Sequence, residues 1–450
     1  MRRAAFLAGA GLCLLPWLAL PVAADEAHLV RDASREAYSL PFAGLGEYEL
    51  ERFRRGRGLF RQAWEVAPAR DEDSDGLGPL YNRLTCAGCH PGNGRGRAPQ
   101  GPDERMQSML VRLSVEGRDP HGGPLPHPVY GEQFNEEAIP GVPGEGRAAV
   151  EWTYSEVVLA DGERVELRRP RLVFKELGYG PLGRFMHSMR VGPPVFGLGL
   201  LEAVPQATLE ALAAEAKPDG VRGRVNRVWS VERGETVAGR FGLKANAPDL
   251  RQQIASAMLG DLGITTTLFP AQNCTPAQTA CRAAPDGGQP ELMNAQLGDL
   301  EFYFAHLAVP ARRDADAPQV RQGEALFGAL GCALCHRPAL TTGAHERFPR
   351  LSKRRIEPYT DLLVHDMGEG LADGRPDYLA GGREWRTPPL WGLGLLERVN
   401  GHGELLHDGR ARNVLEAVLW HGGEAQAARD RVIRLPRAER EALLAFLRSL

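Results

Sequence analysis

The chain has 450 residues, 43% hydrophobic and 25% charged, with a formal net charge of -3. That balance excludes a disordered tail, a fibrous protein and a polytopic membrane protein. There is no broad basic excess, so a nucleic-acid partner is not implied. The 53 Gly and 34 Pro follow no fixed period and predict long ordered loops.

The first segment reads as a targeting signal. Arg2 and Arg3 precede an apolar run from Ala4 to Leu20, and Val22-Ala23-Ala24 offers small residues for cleavage. Residues 1–24 are therefore expected to be a signal peptide cut after Ala24. The run is broken by Pro16 and is short for a membrane anchor. Cys13 lacks the small neighbours of a lipoprotein site. No later stretch reaches spanning length, so the expected location is periplasmic with no membrane span.

Seven cysteines follow, in order, as one, two, two and two. Cys13 belongs to the signal. Cys86-Ala87-Gly88-Cys89-His90 and Cys332-Ala333-Leu334-Cys335-His336 are two C-x-x-C-H motifs. This is the attachment signature of c-type haem. Two thiols add to the porphyrin vinyl groups, and the adjoining His faces the iron as proximal ligand. Chance yields about 0.003 such motifs in a chain of this composition. A zinc site built from the two Cys pairs is an alternative, but it does not need a His after each pair. A thioredoxin-like redox pair needs a βαβ context, which is absent. Cys274 and Cys281 read as a structural disulfide in an oxidising compartment.

The flanks of the two motifs repeat. Gly56-Arg57-Gly58-Leu59-Phe60 precedes the first and Gly323-Glu324-Ala325-Leu326-Phe327 the second. Downstream, the stretch from Pro193 to Glu202 matches that from Pro388 to Glu397 at eight of ten positions. Each half closes with a helical apolar pattern, Leu297 to Leu307 and Arg437 to Leu450. The expected fold is mainly α: two tandem cytochrome-c-like domains, residues 25–310 and 311–450, with long loops. The first half is longer. It holds insertions between Phe60 and Cys86 and from about Gly92 to His187. The latter includes alternating segments Val150 to Leu159 and Glu163 to Phe174 around Asp161-Gly162, which predict a small β-hairpin. The segment from Gly239 to Pro270 has no counterpart in the second half.

With these motifs in place, the sequence resembles the di-haem oxidoreductase family, whose members are described as peroxidase-like or "thiol oxidoreductase-like". That family lies within the bacterial di-haem cytochrome c peroxidase superfamily. The resemblance rests on both haem motifs, Gly239 to Ala245, Asn273-Cys274 with Cys281, Pro358 to Gly368, Trp385 to Trp391, Leu406 to Arg410 and Leu419 to Gly423. It covers nearly all of the chain after residue 24.

The resemblance implies two covalent haems, with His90 and His336 as proximal iron ligands. It implies a sixth ligand for the C-terminal haem at His421, where the peroxidases carry Met and the methylamine-utilisation enzyme carries Tyr. A neutral imidazole suits that role. A His-His haem has a lower potential than His-Met, which departs from the high-potential donor role known in the peroxidases. The N-terminal haem is then the peroxidatic one, with a distal Glu, and Glu202 is the candidate catalytic acid-base; the repeat partner Glu397 argues instead for a surface or interface carboxylate. Met186, His187 and Met189 precede the same turn and are read chiefly as packing. His365 and His407 are expected to hold loops and haem propionates. Trp391 is either a buried core aromatic or a path between the haems. Relatives add calcium between the domains, for which the sequence shows no convincing ligand loop. They also add a homodimer and a small donor protein such as a cytochrome c or cupredoxin.

The leading expectation is thus a di-haem enzyme that reduces peroxide, or oxidises a substrate, at the N-terminal haem. The alternatives are an electron-transfer protein with both irons six-coordinate, and a periplasmic oxidase acting on a metal or thiol.

Overall fold

A computed structural model describes residues 26–71 and 73–450. The expected signal peptide lies outside the described residues.

Two helix pairs anchor the chain. The entry helix Glu47–Arg61 starts at Gly46, whose N–H donates to the Glu49 carboxylate at 2.8 Å. Acidic residues fill its first turn and Arg61 its last, which suits the helix dipole. Phe53, Gly56 and Phe60 form its buried stripe. It crosses the helix Asn294–Ala305 at Gly56, where an added Cβ would lie 2.6 Å from the Tyr303 Cβ. In the second pair, Pro318 opens the helix Pro318–Ala329, with Val320, Gly323 and Phe327 buried at the same spacing. It crosses the helix Arg437–Ser449 at Gly323, where a Cβ would lie 2.7 Å from the Phe446 Cβ. In both pairs only a glycine lets the backbones approach this closely.

The content is mixed, not mainly α. The first half carries a four-stranded sheet built on Met109–Arg118. Its longest partner is Met186–Val191, antiparallel from Met109 opposite Val191 to Ser114 opposite Met186. The hairpin is also larger than expected. Strands Arg147–Val158 and Arg164–Lys175 have 12 residues each and pair throughout. Its turn is the predicted one: Gly162 takes φ 86 and the Asp161 carboxylate accepts from the Glu163 N–H.

That hairpin reaches across to the second half. Buried Arg440 donates to Asp161 at 2.8 Å and to Glu163 at 2.6 Å, and the Ala160 N–H donates to the Ile433 carbonyl. Arg168 is ion-paired with Glu404 at 2.7 Å, both nearly inaccessible. The largest apolar cluster also crosses residue 310, joining Phe60, Leu200 and Tyr303 to Leu351, Leu363 and Trp391. At the linker, Val309–Pro310 pairs in parallel with Leu29–Val30. Cys274 and Cys281 form a disulfide.

The two matching ten-residue stretches pack against each other. A Cβ on Gly197 would meet the Trp391 ring at 2.5 Å, and one on Gly392 would meet the Phe196 ring at 2.5 Å. Phe196 and Trp391 occupy equivalent positions, so the contact is reciprocal. Tyr38 closes it, stacking on Phe196 at 4.4 Å and donating its hydroxyl to the Gly392 carbonyl at 2.6 Å.

Candidate haem-binding site

Both C-x-x-C-H motifs open on one continuous cavity between the helix pairs. Thr85 starts the short helix Cys86–Cys89, accepting from the Ala87 N–H and donating to the Phe60 carbonyl. The motif is thereby fastened to the end of the entry helix. The second motif forms a 3-10 turn, Cys332–Leu334, directly after its own entry helix. The four cysteines are unbridged. Burial pushes the Cys86, Cys89 and Cys332 thiols up to about 12. Each motif follows an entry helix and not the strand of a βαβ unit that a thioredoxin-like pair needs. Zinc would need four converging ligands. Among the described residues, no three His, Cys, Asp or Glu side chains gather as a metal cage.

The three expected iron ligands share one arrangement. His90 Nδ1 lies 2.7 Å from the Pro193 carbonyl, His336 Nδ1 2.9 Å from Tyr359 and His421 Nδ1 2.7 Å from Ala417. Each carbonyl can only accept, so Nδ1 carries the proton and Nε2 is left bare. That is how a metal-binding imidazole is oriented. Burial lowers all three pKa values and keeps the rings neutral. For His336 it does so down to about 4, and the nearby His421 pushes the same way. Both line the cavity. Gly192 packs beside His90, where a Cβ would lie 3.0 Å from the ring.

The cavity's polar groups suit a haem with its two carboxylates. Arg95 and Arg386 line it, and neither forms an ion pair among the described residues. Burial pushes each guanidinium down to about 10. Glu404 and Asp408 act on Arg95, and Asp361 on Arg386, only from a distance, and propionates would supply direct partners for these buried cations. The Arg95 Nε, Arg429 Nε, Asn246 Oδ1 and Gln253 Oε1 atoms are buried without hydrogen-bond partners, and all four residues line the cavity. Apolar walls from Phe304, Leu243, Leu390 and Val418 complete a site that fits the group.

His365 and His407 sit beside this cavity. Burial would lower His365, but Asp361 at 2.9 Å and Glu424 at 2.8 Å outweigh it and hold the imidazole up at about 12. His365 Nδ1 also lies 3.6 Å from the Cys335 sulfur. His407 stacks on Trp385 at 3.7 Å, and its Nε2 lies 3.2 Å from the Asp408 carboxylate.

Glu202 is not brought to the cavity. Gly199 presses against the Ala305 backbone and turns the segment toward the terminal helix. Glu202 Oε1 instead accepts from the Leu250 N–H at 3.0 Å, and Oε2 lies 3.4 Å from His345 Nε2. Its repeat partner Glu397 is exposed. Met186, His187 and Met189 lie in the sheet strand paired with Met109–Arg118 and do not line the cavity.

The segment after Gly239 does have a counterpart, visible only in the backbone. Phe241 bridges Ala247, as Leu405 bridges Ala411. Gly242 and Ala245 take φ 77 and 50, as Leu406 and Gly409 take 70 and 73. Asp249 caps the helix Leu250–Leu262 by accepting from the Gln252 N–H, as Asn413 caps Val414–Leu419 by accepting from Glu416. The offset is constant, and it places Ala257 where the second half has His421. Both residues line the cavity. Gln253, one turn before Ala257, lines it too.

The family model described as "Di-haem oxidoreductase, putative peroxidase" matches residues 23–179 and 184–450. The chain belongs to that family, which makes it an oxidoreductase with a di-haem redox function. No curated protein matches it. Among solved structures it is similar to hydrazine synthase of Kuenenia stuttgartiensis, determined under 20 bar xenon, at 14% identity and a TM-score of 0.38 over 100% of both chains. Among the described residues no helix is long and apolar enough to cross a membrane.

Proposed function

We propose that the chain is an exported di-haem c-type peroxidase. Its halves, 25–310 and 311–450, are two cytochrome-c-like units, each with a covalent haem. Cys86 and Cys89 would hold one haem, with His90 as an iron ligand. Cys332 and Cys335 would hold the other, with His336 and His421 as the residues that would bind its iron. The glycine crossings at Gly56 and Gly323 and the reciprocal packing of Phe196 and Trp391 support the tandem arrangement. Electrons from a small donor protein would be used to reduce peroxide on the N-terminal side of the cavity.

The observation that carries this reading is Ala257. A methyl group stands where the second half presents an imidazole, so the N-terminal haem gains no sixth ligand from that position. The electron-carrier alternative needs such a ligand on both haems. When bound, the haems supply the redox chemistry. The chain's residues do the rest. Carbonyls of Pro193, Tyr359 and Ala417 fix the imidazole tautomers, Arg95 and Arg386 neutralise carboxylates, and Gln253 offers an unpartnered amide oxygen beside Ala257.

Protein matured with haem, mixed with a reduced small cytochrome c or cupredoxin, should oxidise two equivalents of a one-electron donor per peroxide added. Donor oxidation that does not depend on peroxide would contradict the reading. His421→Ala should convert the C-terminal haem from low spin to high spin. A low-spin C-terminal signal surviving in that variant would remove His421 as ligand.

A further inference from the structure

With Glu202 outside the cavity, the proposed reaction lacks a group to move its protons. The helix Leu250–Leu262 carries an unused one. Gln253, Ala257 and Asp261 follow at four-residue spacing, which places them along one helix face. All three line the cavity. Asp261 is close enough to the first haem motif to raise Cys86, Cys89 and His90 by its charge.

Its position is fixed on both sides. The Asp261 carbonyl accepts from the Asn82 and Arg83 N–H groups, and its Oδ1 accepts from Gln133 Nε2 at 2.8 Å. Arg112, which also lines the cavity, has its Nη1 3.8 Å from where a Cβ on the neighbouring Gly260 would stand, near enough for the charges of Arg112 and Asp261 to interact. Its other acidic neighbour, Glu132, is 3.9 Å away and 59% exposed, so Arg112 is weakly paired.

The other carboxylates lining the cavity are engaged elsewhere. Asp219 pairs with Arg431 at 2.6 Å. Glu424 accepts from His365 and from the Arg222 and Gly223 N–H groups. Asp219 lies beside Gly331, and His365 beside Cys335, so both belong to the second motif's side.

We propose that Asp261 is the catalytic proton-transfer residue at the face of the N-terminal haem left open by Ala257, with Arg112 as the positive charge beside it. This deepens the peroxidase reading and rests on it. The carboxylate takes the proton from one peroxide oxygen and returns it to the other, which leaves as water as the O–O bond breaks. Two electrons from the donor protein and two protons from solvent turn the remaining oxygen into the second water. The guanidinium favours the charge that develops on the separating oxygens.

Cyanide tests this without turnover, because hydrogen cyanide must lose its proton to a base as it binds an iron. Stopped-flow absorbance on the oxidised holoprotein should show Asp261→Asn binding cyanide about 100-fold more slowly than wild type. Asp261→Glu should recover most of that rate, and both variants should keep the high-spin signal. An Asp261→Asn rate equal to wild type would overturn the assignment. A wild-type protein with two low-spin haems and no cyanide uptake would overturn the open face itself, and this role with it.

Discussion

Replacing Ala257 with His is expected to abolish peroxide turnover while leaving the fold intact. The variant residue would stand eight positions past its helix cap, Asp249, as His421 stands past Asn413. Its ring would be offered to the N-terminal haem as His421 is offered to the C-terminal one. Gln253 and Ile254 lie a turn earlier, and Ala257 itself is only partly buried by protein, so the cavity has room for a ring there. An iron with two imidazoles is closed to peroxide. Turnover should fall by about two orders of magnitude or more, since proton transfer in the cavity alone contributes on that scale. The spectrum should change with it, the high-spin component giving way to a second low-spin one. Retained turnover with an unchanged high-spin signal would show that residue 257 does not face the iron.

The largest stability effect is expected at Gly323. The helices Pro318–Ala329 and Arg437–Ser449 meet there backbone to backbone, against the Ala442 carbonyl and Phe446. An alanine methyl cannot be absorbed by a rotamer change, because its neighbours are main-chain atoms and a Cβ. The helices must separate, and overpacking of this kind costs about 3 kcal/mol or more. Gly328, on the same helix, is exposed with nothing within 4 Å of an added Cβ. Gly328→Ala should gain up to about 1 kcal/mol from helix propensity. Denaturant unfolding of the holoprotein should therefore separate the two alanine variants with opposite signs. Equal shifts would mean that the crossing is not tight.

The parts of the fold that follow local rules were legible in the sequence. The repeated flanks ending at Phe60 and Phe327 both fall on helices, and Asp161-Gly162 forms the turn its composition demands. The haem motifs carry their own chemistry. Glu202 does not line the cavity, and its motif packs closely: Gly199 and Gly394 press on helix carbonyls at Ala305 and Arg448. The match between Phe241 to Ala257 and Leu405 to His421 was hidden because its conserved element is backbone shape. One copy puts Gly first and Ala later at the positive φ positions, the other Leu first and Gly later. The cap pair Asp249 and Asn413, each preceding an apolar helix start, was the one signal available. Strands such as Met109–Arg118 gain stability from cross-strand partners distant in sequence, which periodicity alone does not identify.

The proposed haems differ: one would be held by two imidazoles, the other by one. Low-temperature electron paramagnetic resonance on the haem-loaded protein, fully oxidised and then half-reduced, distinguishes them. A low-spin signal is expected from the haem held by His336 and His421, and a high-spin ferric signal from the haem on His90. Two low-spin signals persisting in both states would contradict that difference and would mark the chain as an electron carrier.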